Sequence, residues 1–169
     1  MKQLIWIFAA GVCVMGCQGD ENVESGFSGR EMVYPLAQAS DYDVQGTVTF
    51  RERNDGTSVV VVALTGTEGA IEHPVHLHAG DISTPAAEVA AQLRPVVGSS
   101  GESETSLVML SDETPVTYNE LINMNACVKI HLAASGPDRD IILAGGNIGI
   151  ASTREIASGR SAIGVCKSE

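Results

Sequence analysis

The chain has 169 residues, a length that suits one domain with a core large enough to fold alone. Aromatic residues make up only 4% of it, so we expect a core of Val, Ile, Leu and Ala. The formal net charge of −11 argues against nucleic acid and anionic lipid headgroups as partners, and it can attract cations.

The N-terminal segment predicts an export signal that is not part of the fold. Lys2 precedes an apolar stretch over residues 4–15, which is too short to cross a bilayer as a mature helix. Residues 1–16 resemble a bacterial lipoprotein signal peptide, in which the cysteine after a small residue, here Cys17, is acylated and becomes the new N-terminus. The alternative is an ordinary signal peptide cut nearby, and in both cases the protein leaves the cytoplasm.

The lipoprotein resemblance implies a protein anchored to a membrane of the bacterial cell envelope, facing the periplasm or the exterior. Residues 17–41 are rich in Gly, Ser and acidic residues and show no strong periodicity, which predicts a flexible tether. The folded domain is then expected over residues 42–167.

Two cysteines remain for this domain once the signal is set aside. Cys13 lies in the signal and Cys17 would carry the lipid, which leaves Cys127 and Cys166. Two cysteines in an exported domain most simply form one disulfide. The alternative is a pair of buried thiols.

Short strands and turns follow one another from about residue 43. Residues 44–50 alternate with a period of two, and Asp55-Gly56 is a hairpin turn signal. One helical turn is predicted within residues 114–125, and residues 86–97 fit either a helix or a bent edge strand. Further strands are predicted over residues 58–66, 73–79, 106–110, 127–134, 140–150 and 158–166. Many short strands at even spacing indicate an all-β antiparallel sandwich or barrel.

Three of the four histidines lie in "HPVHLHAGD", residues 73–81. On a strand, His76 and His78 point to one face, and the aliphatic side chains beside them point to the other. The strand predicted over residues 127–134 buries its aliphatic side chains in the same way and leaves His131 on its non-core face. If the two strands are neighbours in one sheet, these imidazoles can converge.

Three neutral imidazoles form a good site for copper or zinc, and copper is favoured when a planar set of nitrogen donors is available. Lys129 shares the face of His131 and would raise the cost of placing a cation nearby. Asp138 and Asp140 could orient a metal-bound His131 as hydrogen-bond acceptors. Solvation in a loop is the favoured interpretation for both carboxylates.

His73 does not share the parity of the other two histidines in its stretch, because it lies three residues before His76. It can join the site only if Pro74 breaks the strand and lets the imidazole swing round. Otherwise it is an edge histidine in solvent.

Three segments resemble copper–zinc superoxide dismutases in the same order along the chain. "HLHAGD", residues 76–81, is similar to the first copper-ligand motif, and residues 120–138 are similar to the segment with a later copper histidine, here His131. Residues 158–165 are similar to the segment with the substrate-guiding arginine, here Arg160. The resemblance implies a Greek-key, immunoglobulin-like β-sandwich or barrel, bound copper, and superoxide as a small-molecule substrate.

The sequence also departs from that family. No histidine lies between His78 and His131, where the family supplies its bridging and zinc ligands. Cys127 and Cys166 do not sit where the family has its disulfide. The resemblance therefore implies copper binding with weak or no dismutase activity, and it leaves open whether the protein is an enzyme.

The chain resembles chordin-type (CHRD) domains as well, especially a bacterial lipoprotein version. The shared features are a "HPxHxH" strand from His73, a Leu-x-Pro-Val-x-Gly segment over residues 93–98, "TYNEL" at 117–121 and "GNIG" at 146–149. This resemblance implies the same sandwich. It also implies the alternative function, a non-catalytic envelope domain that binds a partner of unknown identity without metal.

Overall fold

The computed structural model describes residues 26–84 and 87–159. Within them, eight antiparallel strands form one closed barrel in the order β1-β2-β3-β6-β5-β4-β7-β8. The strands are β1 (Phe27–Gln38), β2 (Gln45–Arg53), β3 (Ser58–Thr65), β4 (Glu72–Ala79), β5 (Val89–Val97), β6 (Glu102–Leu107), β7 (Asn125–His131) and β8 (Ile142–Ile148). The prediction of an all-β antiparallel fold is confirmed.

The strand order contains two Greek-key connections. Strands β4, β5 and β6 follow one another as neighbours, whereas β3 lies beside β6 and β7 lies beside β4. The connection between β6 and β7 therefore crosses the barrel, and it brings together the two strands that carry the predicted histidine ligands.

The hairpin between β2 and β3 forms where the sequence predicts it. Gly56 adopts a φ of 82°, a conformation that glycine enters without steric cost, and the Asp55 carboxylate accepts a 2.9 Å hydrogen bond from the Thr57 N–H. The turn fixes a register in which Phe50 lies opposite Val60. Both side chains are 1% exposed, so the alternating pattern of these strands builds the core.

Strand β1 lies within the segment predicted to be a flexible tether. It pairs with β2 through most of its length and with β8 at Ala37 and Gln38. Tyr34 and Leu36 are buried in the core, while the rest of the strand is largely exposed. The prediction of a tether over residues 17–41 is therefore wrong for residues 27–38. Only two side chains of this strand are buried, so the sequence shows little periodicity.

The helices are short and lie at the connections. Helix α1 (Tyr118–Ile122) begins at a capping box, in which Thr117 accepts from the Glu120 N–H and the Glu120 carboxylate accepts from the Thr117 N–H. This helix confirms the predicted helical turn, and within the ambiguous segment 86–97 the residues Val89–Val97 form strand β5. A 3₁₀ turn spans Pro137–Asp140.

Helix α2 (Gly149–Ala157) replaces the end of the strand predicted over residues 140–150. The strand ends at Ile148 because Gly149 takes a φ of 55°, which turns the chain. The strand predicted over residues 158–166 lies almost entirely outside the described residues. Among the described residues, no helix combines the length and apolar character needed to span a membrane.

Candidate metal centre

Strands β4 and β7 are hydrogen-bonded neighbours, as the convergence of the histidines requires. Their register places Leu77 opposite Val128, and both side chains are fully buried in the barrel. His76 lies opposite Lys129 and His78 lies opposite Cys127 in the same ladder. Because side chains alternate across a strand, the buried aliphatic residues hold His76 and His78 on the outer face of the barrel.

Three imidazoles converge on this outer face. The ring centroids of His76 and His131 are 4.8 Å apart, and His78 lies 5.8 Å from the first ring and 6.1 Å from the second. One ligand atom of each residue lies within 4.8 Å of the others. Two nitrogens bound to one ion at about 2.1 Å are at most about 4.2 Å apart, so a small movement of at least one ring would accompany binding.

Two of the rings have their protonation pattern fixed by the main chain. His78 Nδ1 donates to the Ala87 carbonyl oxygen at 2.8 Å, and His131 Nδ1 donates to the Arg139 carbonyl oxygen at 2.9 Å. A carbonyl oxygen can only accept, so each Nδ1 carries the proton and each Nε2 carries a lone pair. The ring orientation and the tautomer are therefore those of a metal-bound histidine.

The Nε2 atoms of His78 and His131 are buried and have no hydrogen-bond partner. Buried polar atoms in native proteins almost always have a partner, since an unpaired one costs about 1–3 kcal/mol. Two such atoms, both on residues of one converging cluster, fit an ion bound between them. Both unpaired atoms therefore fit a role as metal ligands.

The histidines stay neutral at neutral pH. Burial, together with the neighbouring His131 and His78, lowers the pKa of His76 to about 4. Burial is also the largest cause that lowers the pKa values of His78 and His131, with the charge of Lys129 acting in the same direction. Neutral imidazole is the form that binds metal, so no proton has to leave before an ion can enter.

Register shifts lie beside two of the three cluster residues. The pairing of β4 with β5 shifts between Leu77 and His78, and the pairing of β7 with β8 shifts between Ile130 and His131. Such irregularities turn a side chain relative to its strand. The regular alternation of residues along these strands carries no signal for such shifts.

His73 lies outside the cluster. Its side chain is 5% exposed, and its Nδ1 lies 3.2 Å from the Leu132 carbonyl oxygen. The group of candidate ligands within the described residues does not include it. The structure thus supports neither prediction for His73, because the residue is a buried, hydrogen-bonded histidine and not an edge residue in solvent.

The acceptor that orients His131 is the main chain of Arg139, not a carboxylate. Asp138 and Asp140 flank that residue in the 3₁₀ turn and are exposed. Of the two interpretations, solvation in a loop therefore fits both carboxylates, and the role of acceptor for His131 does not. A main-chain carbonyl carries no sequence signal, and the same holds for the carbonyl of Ala87 that orients His78.

Asn147 is a further residue beside the cluster that the sequence did not predict. It is 4% exposed on β8, and its Oδ1 accepts from the Ile82 N–H at 2.7 Å. Its Nδ2 donates to the carboxylates of Asp81 at 3.1 Å and Glu155 at 3.0 Å. The side chain therefore fixes the loop that follows the histidine strand β4 against the outer face of the barrel. A buried amide with three charged or main-chain partners stabilises the position of that loop.

Other predicted site residues fall outside the cluster or outside the described residues. Cys127 is buried, burial raises its pKa to about 11, and it bonds to no described cysteine. Its predicted partner Cys166 lies outside the described residues, so the disulfide stays a prediction. Arg160 and Cys17 also lie outside them, so the guiding and lipidation roles stay predictions.

No protein-family model, curated protein or solved structure matches the chain. The resemblances to superoxide dismutases and to CHRD domains therefore stay hypotheses from short motifs. The geometry of the histidines stands independently of them.

Proposed function

We propose that this protein binds a transition-metal ion, preferentially copper, through the Nε2 atoms of His78 and His131 and a nitrogen of His76. The observation that carries the proposal is the pair of buried Nε2 atoms without partners, in rings whose Nδ1 atoms are already bonded. A purely apolar or hydrogen-bonded role for these rings would not explain the free-energy cost of leaving both Nε2 atoms unpaired.

Copper is favoured over zinc by the donor set. Imidazole nitrogens bind copper, and among the divalent ions they follow the Irving–Williams order, in which even copper(II) binds more tightly than zinc(II) at a given site. Structural zinc sites are almost always closed by four protein ligands, whereas the candidate group within residues 26–84 and 87–159 contains only three. Zinc at a purely structural site is the less favoured form of the proposal.

The proposal includes export and membrane attachment through Cys17, supported by the signal-like sequence of residues 1–16. It also includes weak or no superoxide dismutase activity. The chain has no histidine between His78 and His131 to bridge a second metal, which supports this part. Superoxide is then at most a poor substrate, and copper binding is the primary property.

Two measurements test copper binding. Mass spectrometry of the protein purified from its native envelope should find about one copper per chain, since the described residues contain one such cluster. In copper titrations of the purified protein, His131→Ala should weaken binding by at least about a hundredfold, because one donor of three is lost.

His73→Gln is the matched control, since it removes a histidine outside the cluster and keeps a side-chain donor for the Leu132 carbonyl. Its copper affinity should equal that of the unmodified protein. Equal affinity in His131→Ala would overturn the proposal and leave the partner-binding envelope domain as the better interpretation.

A further inference from the structure

The charges around the three histidines indicate which oxidation state of copper the site favours. We infer that the site holds copper as the monovalent ion, Cu(I), in preference to Cu(II). This inference rests on the proposed function and specifies the oxidation state that the same residues select.

The ligands supply no negative charge. The candidate group consists of three histidines and includes no carboxylate or thiolate of the described residues. Cys127 lies opposite His78 in the strand ladder, yet its sulfur is not among the converging ligand atoms. An ion bound here keeps its full charge in a partly buried place, and the cost of that charge rises steeply from one unit to two.

Lys129 adds a positive charge to the same face. It lies opposite His76 in the ladder between β4 and β7, its side chain is 8% exposed, and no ion pair joins it to a described carboxylate. At a given distance, its repulsion of a divalent ion is twice its repulsion of a monovalent one. Lys129 therefore raises the free energy of bound Cu(II) more than that of bound Cu(I).

Two carboxylates act against Lys129 near the cluster. Asp81 opposes Lys129 at Cys127, and its oxygens already accept hydrogen bonds from Ser83 and Asn147. Asp140 acts on His131, but it is exposed and its Oδ1 lies 3.3 Å from Nε of Arg139. That exposed ion pair carries no net charge and is screened by solvent.

The coordination number also favours Cu(I). Cu(I) is a closed-shell ion that accepts three ligands, whereas Cu(II) and zinc(II) ordinarily take four or more. The Nε2 atoms of His78 and His131 are shielded from solvent, so water has little access to these two donors. A three-coordinate site of neutral nitrogens suits the monovalent ion.

The test compares the two oxidation states on the full chain. Cu(I) affinity is measured without oxygen, in ascorbate, by competition with bicinchoninate, and Cu(II) affinity is measured by competition with nitrilotriacetate. We expect a Cu(I) dissociation constant at least about tenfold below that for Cu(II). Cu(II) binding that is equal or tighter overturns the inference but leaves the three-histidine site standing. Binding of neither ion overturns the proposed function itself.

A charge variant tests the cause of the preference. Lys129→Met keeps the length of the side chain and removes the charge, so it should strengthen Cu(II) binding more than Cu(I) binding. The ratio of the Cu(II) dissociation constant to the Cu(I) dissociation constant should then fall about tenfold. Arg51→Met is the matched control, because it removes one positive charge from β2, which neighbours neither β4 nor β7. An unchanged ratio in Lys129→Met contradicts the electrostatic argument. The ratio in the unmodified protein decides the inference even if this variant does not fold.

Discussion

We expect metal binding at the three-histidine site to persist in acid that would empty an ordinary histidine cluster. A histidine with a pKa of about 6.5 is about 90% protonated at pH 5.5, which costs about tenfold in affinity. Three such histidines would lose about a thousandfold between pH 7.5 and 5.5.

The structure predicts a smaller loss of metal affinity between pH 7.5 and 5.5. Burial holds the pKa of His76 at about 4, so that residue is only about 3% protonated at pH 5.5 and contributes almost nothing to the loss. The pKa values of His78 and His131 are also lowered by burial, so each contributes less than the ordinary tenfold. The total loss should therefore stay below about a hundredfold.

The assay is a metal titration at pH 7.5, 6.5 and 5.5 with a competing chelator whose own protonation is corrected for at each pH. His73→Gln serves as a control that leaves the cluster intact. A loss near a thousandfold would show that the three rings titrate as solvent-exposed histidines, and it would refute the burial argument.

The same pKa shifts have a consequence for stability without metal. Above pH 6.5, the folded and unfolded chains both hold neutral histidines, so the shifts have no effect. Below that pH the unfolded chain takes up protons that folded His76 accepts only near pH 4. The free energy of unfolding of the metal-free protein should therefore fall as the pH drops through this window.

Three further predictions concern the fold, the thiol and the anchor. Leu77→Ala should lower the free energy of unfolding by about 2–5 kcal/mol in denaturant titrations, because the side chain is fully buried; a change under about 1 kcal/mol would contradict its place in the core. Iodoacetamide should leave Cys127 unlabelled in the native protein, since burial raises its pKa to about 11, and native labelling seen by mass spectrometry would refute this. Cys17→Ser should move the protein from the membrane to the soluble fraction, and unchanged retention would exclude the lipid anchor.

The convergence of the histidines could be predicted because it follows from a period of two. Once Val75 and Leu77 are assigned to the core, His76 and His78 have to face outward, and the same argument places His131 on the outer side of its strand. Only the adjacency of the strands had to be assumed, and the barrel order supplies it.

Physical reasons explain why other features of the structure could not be predicted from the sequence. Strand β1 is stabilised by its pairing with the next strand, β2, and with β8, which is distant in sequence, and neither pairing could be predicted from the composition of β1 itself. The carbonyls that orient the histidines belong to Ala87 and Arg139, and a main-chain acceptor leaves no trace in residue identity. The role of Asn147 likewise depends on Asp81 and Glu155, which only the folded chain brings to it.

The barrel places a polar cluster where it does not weaken the core. Val75, Leu77, Val128 and Ile130 are all fully buried, and they fix the two central strands of the site from the inside. The histidines on the opposite face are then held by a rigid support, and the backbone carbonyls set the direction of two rings. Metal-free protein keeps the cost of two unpaired Nε2 atoms, which a bound ion would remove. Part of the proposed affinity for metal would therefore come from the way the strands hold the metal-free rings.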